Sequence, residues 1–327
     1  MTLYNRNSEI LLLYDAKMTN PNGDPDDENK PRMDYEREVN LVSDVRLKRY
    51  IRDYLESKGY EIFVAKVDGQ VVDATERLKI LLGKEKLSAL SGNDVATILE
   101  RLVDVRFFGA TMPIKAQEEG GRGASSTFTG PVQFNWGYSL NKVEMVRSSS
   151  ISSTFAGRAG EGKGEYGTFG KDWRLYYSLI AFYGIVSGYR AQYTHFTFED
   201  VKLLDEALWN AIPVMASTRS KVGQKPRLLL RVEYRDVYTF LGDFRGKIVL
   251  SSQEGLRDVA DFDVDCSLLV QFLAQNREKV ERVLVLQDPE FKVRDGLLRE
   301  ALHSALGDGV KIYSSFEADD LYGSSGI

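Results

Sequence analysis

From Pro131 to Asn141 the chain alternates without a break. Val132, Phe134, Trp136, Tyr138 and Leu140 are apolar or aromatic, and Gln133, Asn135, Gly137, Ser139 and Asn141 between them are small or polar and carry no charge. Period two over this length predicts a β-strand with one buried face and one polar face. A strand of this kind needs partners, and the chain offers several. Glu9–Lys17 (E-I-L-L-L-Y-D-A-K) is an apolar run of strand length, Tyr60–Val67 and Trp173–Tyr193 are rich in aromatic and β-branched residues, and Arg227–Tyr234 reads R-L-L-L-R-V-E-Y.

Helical patterns fall between these runs. Leu41, Val45, Tyr50, Ile51, Tyr54 and Leu55 share a face, with Asn40 as N-cap and Gly59 as the stop. Thr197 with Asp200 three residues on forms a capping box ahead of Val201, Leu204, Leu208 and Ile212. Asp73–Leu102, broken by Gly83 and Gly92, predicts helices over one face. A last unit carries a helix near Leu268–Asn276, a strand Arg282–Gln287 and a helix Arg294–Leu306.

Without the insertions the order is strand, helix, strand, strand, helix, strand. This is an α+β, ferredoxin-like antiparallel sheet. Such a sheet covers one face with helices and can offer the other to RNA, as RNA-recognition domains do. The 327 residues allow two domains or one domain with large insertions. No internal repeat or linker is evident.

A hydrophobic share of 43% and an aromatic share of 11% are those of a chain with a real core. No run is long and apolar enough to span a membrane, and Met1–Arg6 lacks the pattern of a signal peptide, so a cytoplasmic location is expected. Cys266 is the only cysteine, and His195 and His303 are the only histidines, which leaves little for a thiolate or imidazole metal site. Net charge is −5, which by itself argues against a polyanion partner. The distribution is uneven, however. Arg219, Lys221, Lys225, Arg227, Arg231 and Arg235 stand against Glu233 between Met215 and Arg235, whereas acids outnumber bases after Gln287.

Four segments carry candidate chemistry. The loop from Asn20 to Arg32 (N-P-N-G-D-P-D-D-E-N-K-P-R) alternates side-chain oxygens almost as a calcium loop does, but Pro25 intervenes and no helix precedes it. The loop reads better as an Asx-rich turn, or as phosphate and sugar contacts from Asn22, Asn29, Lys30 and Arg32. Gly157–Lys163 (G-R-A-G-E-G-K) begins like a phosphate-binding loop, yet Gly164 replaces the magnesium-coordinating hydroxyl. It reads better as a basic finger with Arg158 and Lys163. It lies within residues 148–171, a long mobile excursion rich in Ser, Thr and glycine. Met215–Lys221 (M-A-S-T-R-S-K) suits phosphate contacts that fix register without reading bases. Asp24, Asp26 and Asp27 lie together, so metal-dependent RNA hydrolysis stays open as an alternative. No nucleophile is marked beside either histidine.

These motifs, in their order, resemble a known family. A first strand leading into N-P-N-G-D-P-D and N-K-P-R, then D-V-R-F-F-G-A at 104–110 and G-P-V-Q at 130–133, is similar to the CRISPR-associated Cas-seven family, most of all its type I-B and I-C members. The resemblance covers about the first 135 residues and extends to the Ser217–Lys221 loop. It implies a non-enzymatic, guide-RNA-binding backbone subunit of a Cascade complex that needs no cofactor. It implies an RNA-recognition-like palm (residues 1–327 as one domain), a fingers-like insertion at 68–130 and a thumb hairpin at 148–171. Copies would stack as a filament along the guide, beside other Cascade subunits, and the guide would pair with target DNA. Phosphate contacts would fall to Lys17, Asn22, Arg32, Arg46, Arg106, Gln133, Ser217, Arg219 and Lys221, and Phe155 would wedge at the kink of the guide. Related type III subunits cut RNA with a loop aspartate, which keeps Asp24, Asp26 and Asp27 as the enzymatic alternative.

Overall fold

The computed structural model describes residues 2–67, 69–115, 124–147, 149–152, 169–294 and 296–323. It is a mixed α/β structure built on a nine-stranded, mostly antiparallel sheet. Seven of its strands are β1 (Ser8–Thr19), β2 (Val39–Val42), β3 (Val132–Phe134), β4 (Gly137–Ser139), β5 (Leu175–Val186), β6 (Gln224–Tyr234) and β7 (Val280–Gln287), followed by β8 (Lys311–Tyr313). Their order across the sheet is β8-β7-β6-β1-β5-β4-β2, with Met33–Asp34 beyond β2 and with β3 also paired to β5. Only β7 and β8 run parallel.

The central strand β1 is buried from end to end except at Lys17 and Met18. Its alternation is divided between two cores. The first six helices among the described residues are α1 (Asp44–Ser57), α2 (Ala74–Leu82), α3 (Gly92–Arg101), α4 (Val103–Phe108), α5 (Gly188–Thr194) and α6 (Phe198–Met215). Ile10, Leu12, Tyr14 and Ala16 enter one core with α1 and α6, whereas Leu11 and Leu13 enter the other. Each large apolar side chain so buried stabilises the fold by about 1.5–3 kcal/mol. The α6 start is as the sequence predicts: Thr197 and Asp200 form a complete capping box.

The second core corrects an expectation. The sheet face opposite α1 and α6 is not offered to a ligand. Leu228, Leu230, Val232, Leu179 and Ala181 on that face pack against Phe244, Val259, Phe262, Leu269, Leu273, Leu298 and Leu302. The cover comes from the last third of the chain, including α7 (Ser267–Gln275) and α8 (Leu298–Leu306). A strand with apolar residues at successive positions needs a core on both sides.

Three local expectations also change. The alternating run at 131–141 is two short strands, not one. It bends at Asn135, whose N–H donates to the Tyr183 carbonyl, and Trp136 is 44% exposed. Past the bend Gly137 faces the Phe182 ring, where a Cβ would lie 2.5 Å from it, so glycine is required for the strand to pass. Asn40 is no N-cap. It lies buried in β2, donates its N–H to Ser139 Oγ (2.9 Å), and the helix starts after Ser43. Tyr60–Val67 forms no strand, because the Asp104 carboxylate accepts from the Phe63 and Val64 N–H groups that a ladder would use.

Residues 63–128 gather a smaller core of their own. Phe63, Leu78, Leu81, Ile98, Leu99, Leu102, Val105, Met112 and Ile114 pack between the helices Ala74–Leu82 and Gly92–Arg101 and the hairpin Gly109–Ile114/Ala124–Thr129. Two motif glycines join this unit to the sheet. A Cβ on Gly109 (φ +76°) would stand 2.1 Å from the Phe128 carbonyl, and one on Gly130 would stand 2.3 Å from the Phe107 carbonyl. The two chain segments cross there backbone to backbone.

On the helix side, charge is buried in a closed network. The Arg231 guanidinium donates to both Asp205 oxygens at 2.8–3.0 Å and to Glu233 at 3.1 Å, and all three residues are essentially inaccessible. Tyr322 donates to Asp205, and Arg282 donates to the Asp320 carbonyl, which ties the C-terminal segment to the same network. Replacing one partner strands the others without a counter-charge. Arg231→Met is therefore expected to cost about 3–5 kcal/mol in urea titration. A loss below about 1 kcal/mol would mean that the network is dispensable.

Candidate nucleic-acid interface

The β1 register decides which loops meet. Thr19 pairs with Leu175 at the start of β5, and Ala16 pairs with Gln224 at the start of β6. The segments after Thr19, before Leu175 and before Gln224 must therefore emerge side by side. They are hydrogen-bonded to one another. Lys17 N donates to the Gly223 carbonyl, Asn20 N and Thr19 Oγ1 donate to the Ser220 carbonyl, and Arg174 donates to the Met18 and Arg219 carbonyls. Asn22 ties the loop to α1, its Oδ1 accepting from the Ser43 N–H and hydroxyl, both at 2.9 Å. Within the loop, Gly23–Asp24 and Lys30–Pro31 pair as a miniature hairpin, where the sequence offers an Asx-rich turn.

A cluster of cations and aromatic rings results. Arg46 lies over the Tyr50 ring at 4.0 Å and Arg32 over Trp136 at 5.8 Å. Lys30 and Lys171 approach the Trp173 ring at 5.2 and 5.6 Å. Most of these cations are paired: Arg32 with Asp24 (3.1 Å), Lys30 with Asp27 (2.6 Å), Lys171 with Glu28 (2.6 Å) and Arg174 with Asp172 (2.9 Å). Arg219, two-thirds exposed, reaches Asp172 only at 4.0 Å, and Ser217 beside it is exposed.

Two cations differ. Among the described residues neither Arg46 nor Lys221 has a carboxylate within ion-pair distance. Lys221 donates only to the neutral Asn20 carbonyl, and the buried Arg46 Nε has no partner. Burial, and next the Arg46 charge, push the Lys221 ammonium down to about 8. Two like charges near one another with no counter-ion among the described residues, and a buried donor without an acceptor, are the ingredients of an anion seat.

The other expected contacts lie elsewhere or are occupied. Arg106 donates to Asp200 and to the Leu99 and Glu100 carbonyls, clamping the α6 start to the 63–128 unit. Gln133 donates to the Phe108 and Gly130 carbonyls and accepts from Lys48 (3.1 Å). With Asp104 and the two crossed glycines, the D-V-R-F-F-G-A and G-P-V-Q motifs form one internal joint. Lys17 is ion-paired with Asp258. Phe155, Arg158 and Lys163 lie outside the described residues. Of the 148–171 excursion, the described parts include an antiparallel pair, Ser150–Ser152 with Phe169–Lys171.

The sequence places Tyr50 in the core, where it lies, 2% exposed, with one ring face under Arg46. It gives no signal for Lys171, Trp173 or Arg174, which sit at or just after the short strand Phe169–Lys171 with no motif around them. Of the three carboxylates of the enzymatic alternative, two are ion-paired within the loop. Asp24 and Asp27 face Arg32 and Lys30, and Asp24 also accepts from the Asp26 N–H. No group of three potential ligand side chains able to hold a metal ion occurs among the described residues. No helix among them is long and apolar enough to cross a membrane.

Comparison with known proteins agrees with the motifs. The family model for CRISPR-associated protein Cas7 matches residues 6–267. A CRISPR-associated protein Cas7 from Haloferax volcanii is 35% identical over 312 residues, covering 90% of this chain and 91% of the relative. In fold the chain is similar to a chain of a CRISPR RNA-guided surveillance complex in a pre-nicking state, with a TM-score of 0.56, 14% identity, and 97% and 99% of the two chains covered. A chain of a second CRISPR RNA-guided surveillance complex matches with a TM-score of 0.50, also at 14% identity. A family match over most of the chain, joined to the motif loops that the β1 register brings together, identifies this protein as a member of the Cas7 family.

Proposed function

We propose that the chain is the guide-RNA-binding backbone subunit of a type I CRISPR interference complex and not an enzyme. Copies of it line up as a filament along one guide RNA, dock on the other Cascade subunits, and hold the guide for pairing with target DNA in the cytoplasm. The strands β1, β3/β4, β5 and β6 with α1 and α6 serve as the ferredoxin-like, RNA-recognition-like palm. Residues 68–130 serve as fingers and 148–171 as the thumb.

The observation that carries this reading is the Arg46–Lys221 pair. Two unpaired cations half-buried beside Tyr50 cost stability in the free chain, and a phosphodiester between them relieves that cost. Arg32, Arg219 and Ser217 extend the same surface. Contacts to phosphate and sugar hold any guide equally, which leaves sequence to base pairing. Because the covered sheet face offers no platform for bases, the guide is held by the loops at the Thr19 end of the sheet. Arg106 and Gln133 act as architecture in this scheme.

The first test is the absorbance ratio at 260 and 280 nm of protein purified at moderate salt, before and after RNase. A high-mass, nucleic-acid-rich species that falls apart with RNase is expected; a chain that neither carries RNA nor assembles on added guide refutes the proposal. Arg219→Ala is expected to weaken binding by about 1 kcal/mol, a factor near 5, uniformly across guide sequences. A sequence-selective loss would contradict backbone contact.

Lys221 makes a pH prediction. Its folded value near 8 lies below the ordinary 10.5, so between these values the unfolded chain binds more protons than the folded one. From this group, the stability of the free protein therefore rises with pH from about 8 to 10.5, and below 8 that gain is absent. RNA binding runs the opposite way, because phosphate favours the charged amine. Affinity is expected to fall as pH climbs through 8 toward 10. Lys221→Gln should flatten that profile, stabilise the free protein at neutral pH by about 1 kcal/mol and weaken RNA binding. A variant that destabilises the free chain, or that keeps the wild-type pH profile, would sink this account of the pair.

A further inference from the structure

The acids in the Asn20–Arg32 loop are unexplained by a phosphate-binding surface, since they belong to the sign that RNA repels. Their placement is specific. Asp24, Asp27 and Glu28 each hold one outer cation of the cluster, Arg32, Lys30 and Lys171 respectively, while the inner pair Arg46 and Lys221 has no carboxylate among the described residues. Lys171 is distant in sequence and belongs to the Phe169–Lys171 strand, so its pairing to Glu28 is tertiary, not a by-product of neighbouring positions.

The arrangement is also held at a cost. Glu28 and Asn29 both adopt positive φ, 50° and 57°, a conformation that asparagine tolerates and glutamate rarely occupies. Asn20, 6% exposed, spends its amide N–H on the Asn29 carbonyl (2.7 Å), and its buried Oδ1 has no donor among the described residues. The buried Arg32 Nε is likewise unpartnered. The ion pairs themselves are half-exposed, with acid side chains 27%, 45% and 54% accessible. Pairs of that kind are weak and exchange readily for a better anion. A turn with strained backbone and an orphaned buried oxygen has little to lose by moving.

We propose that Asp24, Asp27 and Glu28 are an internal counter-charge that occupies the outer cations of the free chain in place of RNA phosphates and so lowers its affinity for polyanions. The proposal rests on the RNA-binding reading above. In the free chain the three carboxylates screen Arg32, Lys30 and Lys171, so a stray polyanion meets only the inner pair and binds poorly. An RNA backbone that first seats on Arg46 and Lys221 then displaces the acids one at a time. The carboxylates thus lower affinity for every polyanion and leave tight binding to a strand that satisfies the whole surface.

The test compares wild type with D24N/D27N/E28Q, amide replacements of the same shape, in binding to mixed-sequence single-stranded RNA and to heparin across a salt series. Wild-type RNA binding is measured first and judges the proposed function separately. The triple variant is expected to bind both polyanions about tenfold tighter at low salt, with a salt dependence steeper by about 0.7 per freed cation for RNA. If wild type binds RNA and the variant binds no tighter, the counter-charge role is overturned while the RNA-binding reading stands. Loss of metal-dependent RNA cleavage in the variant would overturn it in favour of catalysis. Should the triple variant fail to fold, E28Q alone decides, since its side chain is half-exposed: about a twofold gain supports the proposal, and none overturns it.

Discussion

The pairing of β1 with β5 on one side and β6 on the other is the constraint from which the rest follows. An antiparallel ladder that sets Thr19 against Leu175 and Ala16 against Gln224 leaves three distant segments no choice but to leave the sheet at one end. One of them carries the Asn- and Asp-rich loop, one the Ser/Arg loop and one Trp173 with its flanking charges. Slipping β1 by a single residue would exchange Leu12 and Tyr14 with Leu11 and Leu13 between the two cores, so burial on both faces holds the register. The geometry of the cation surface is thus inherited from packing far from it.

On that surface, the informative feature is which charges are compensated. Outer cations have acids beside them and inner ones do not. Evolution of a stable fold alone would place a carboxylate beside Arg46 and Lys221, as it has beside Arg231, Arg227 and Arg106. Leaving two half-buried cations within reach of each other's charge, with no carboxylate among the described residues, is a local rule broken, and functional sites are where such rules are broken. The net charge of −5 hides this, because acids elsewhere and within the loop outweigh it in the sum.

Family motifs divide into two kinds once placed in three dimensions. The N-P-N-G-D-P and S-T-R-S-K loops line the cation surface. The D-V-R-F-F-G-A and G-P-V-Q motifs instead make a joint, where Gly109 and Gly130 cross, Asp104 caps the 63–64 backbone and Arg106 grips Asp200. A basic residue inside a motif is no sign of a ligand contact when its donors are spent within the chain.

Much of the scaffold was legible in the residues themselves. The apolar run of β1, the capping box at Thr197 and Asp200, and the strand ending at Tyr234 are local signals, and local signals survive folding. The bend at Asn135, the pairing of Asn40 in β2 and the irregular 60–67 segment were not legible, because each is decided by a partner far away in sequence: the Tyr183 carbonyl, Ser139 and Asp104. The covered second face escaped for the same reason, since the last third of the chain holds apolar helices without saying where they pack. The sequence by itself determined most of the element types and the family, through its motif loops. Only the tertiary structure decided which cations stand unpaired, because pairing depends on distances between Arg46, Lys221, Lys171 and Glu28 that no spacing along the chain encodes.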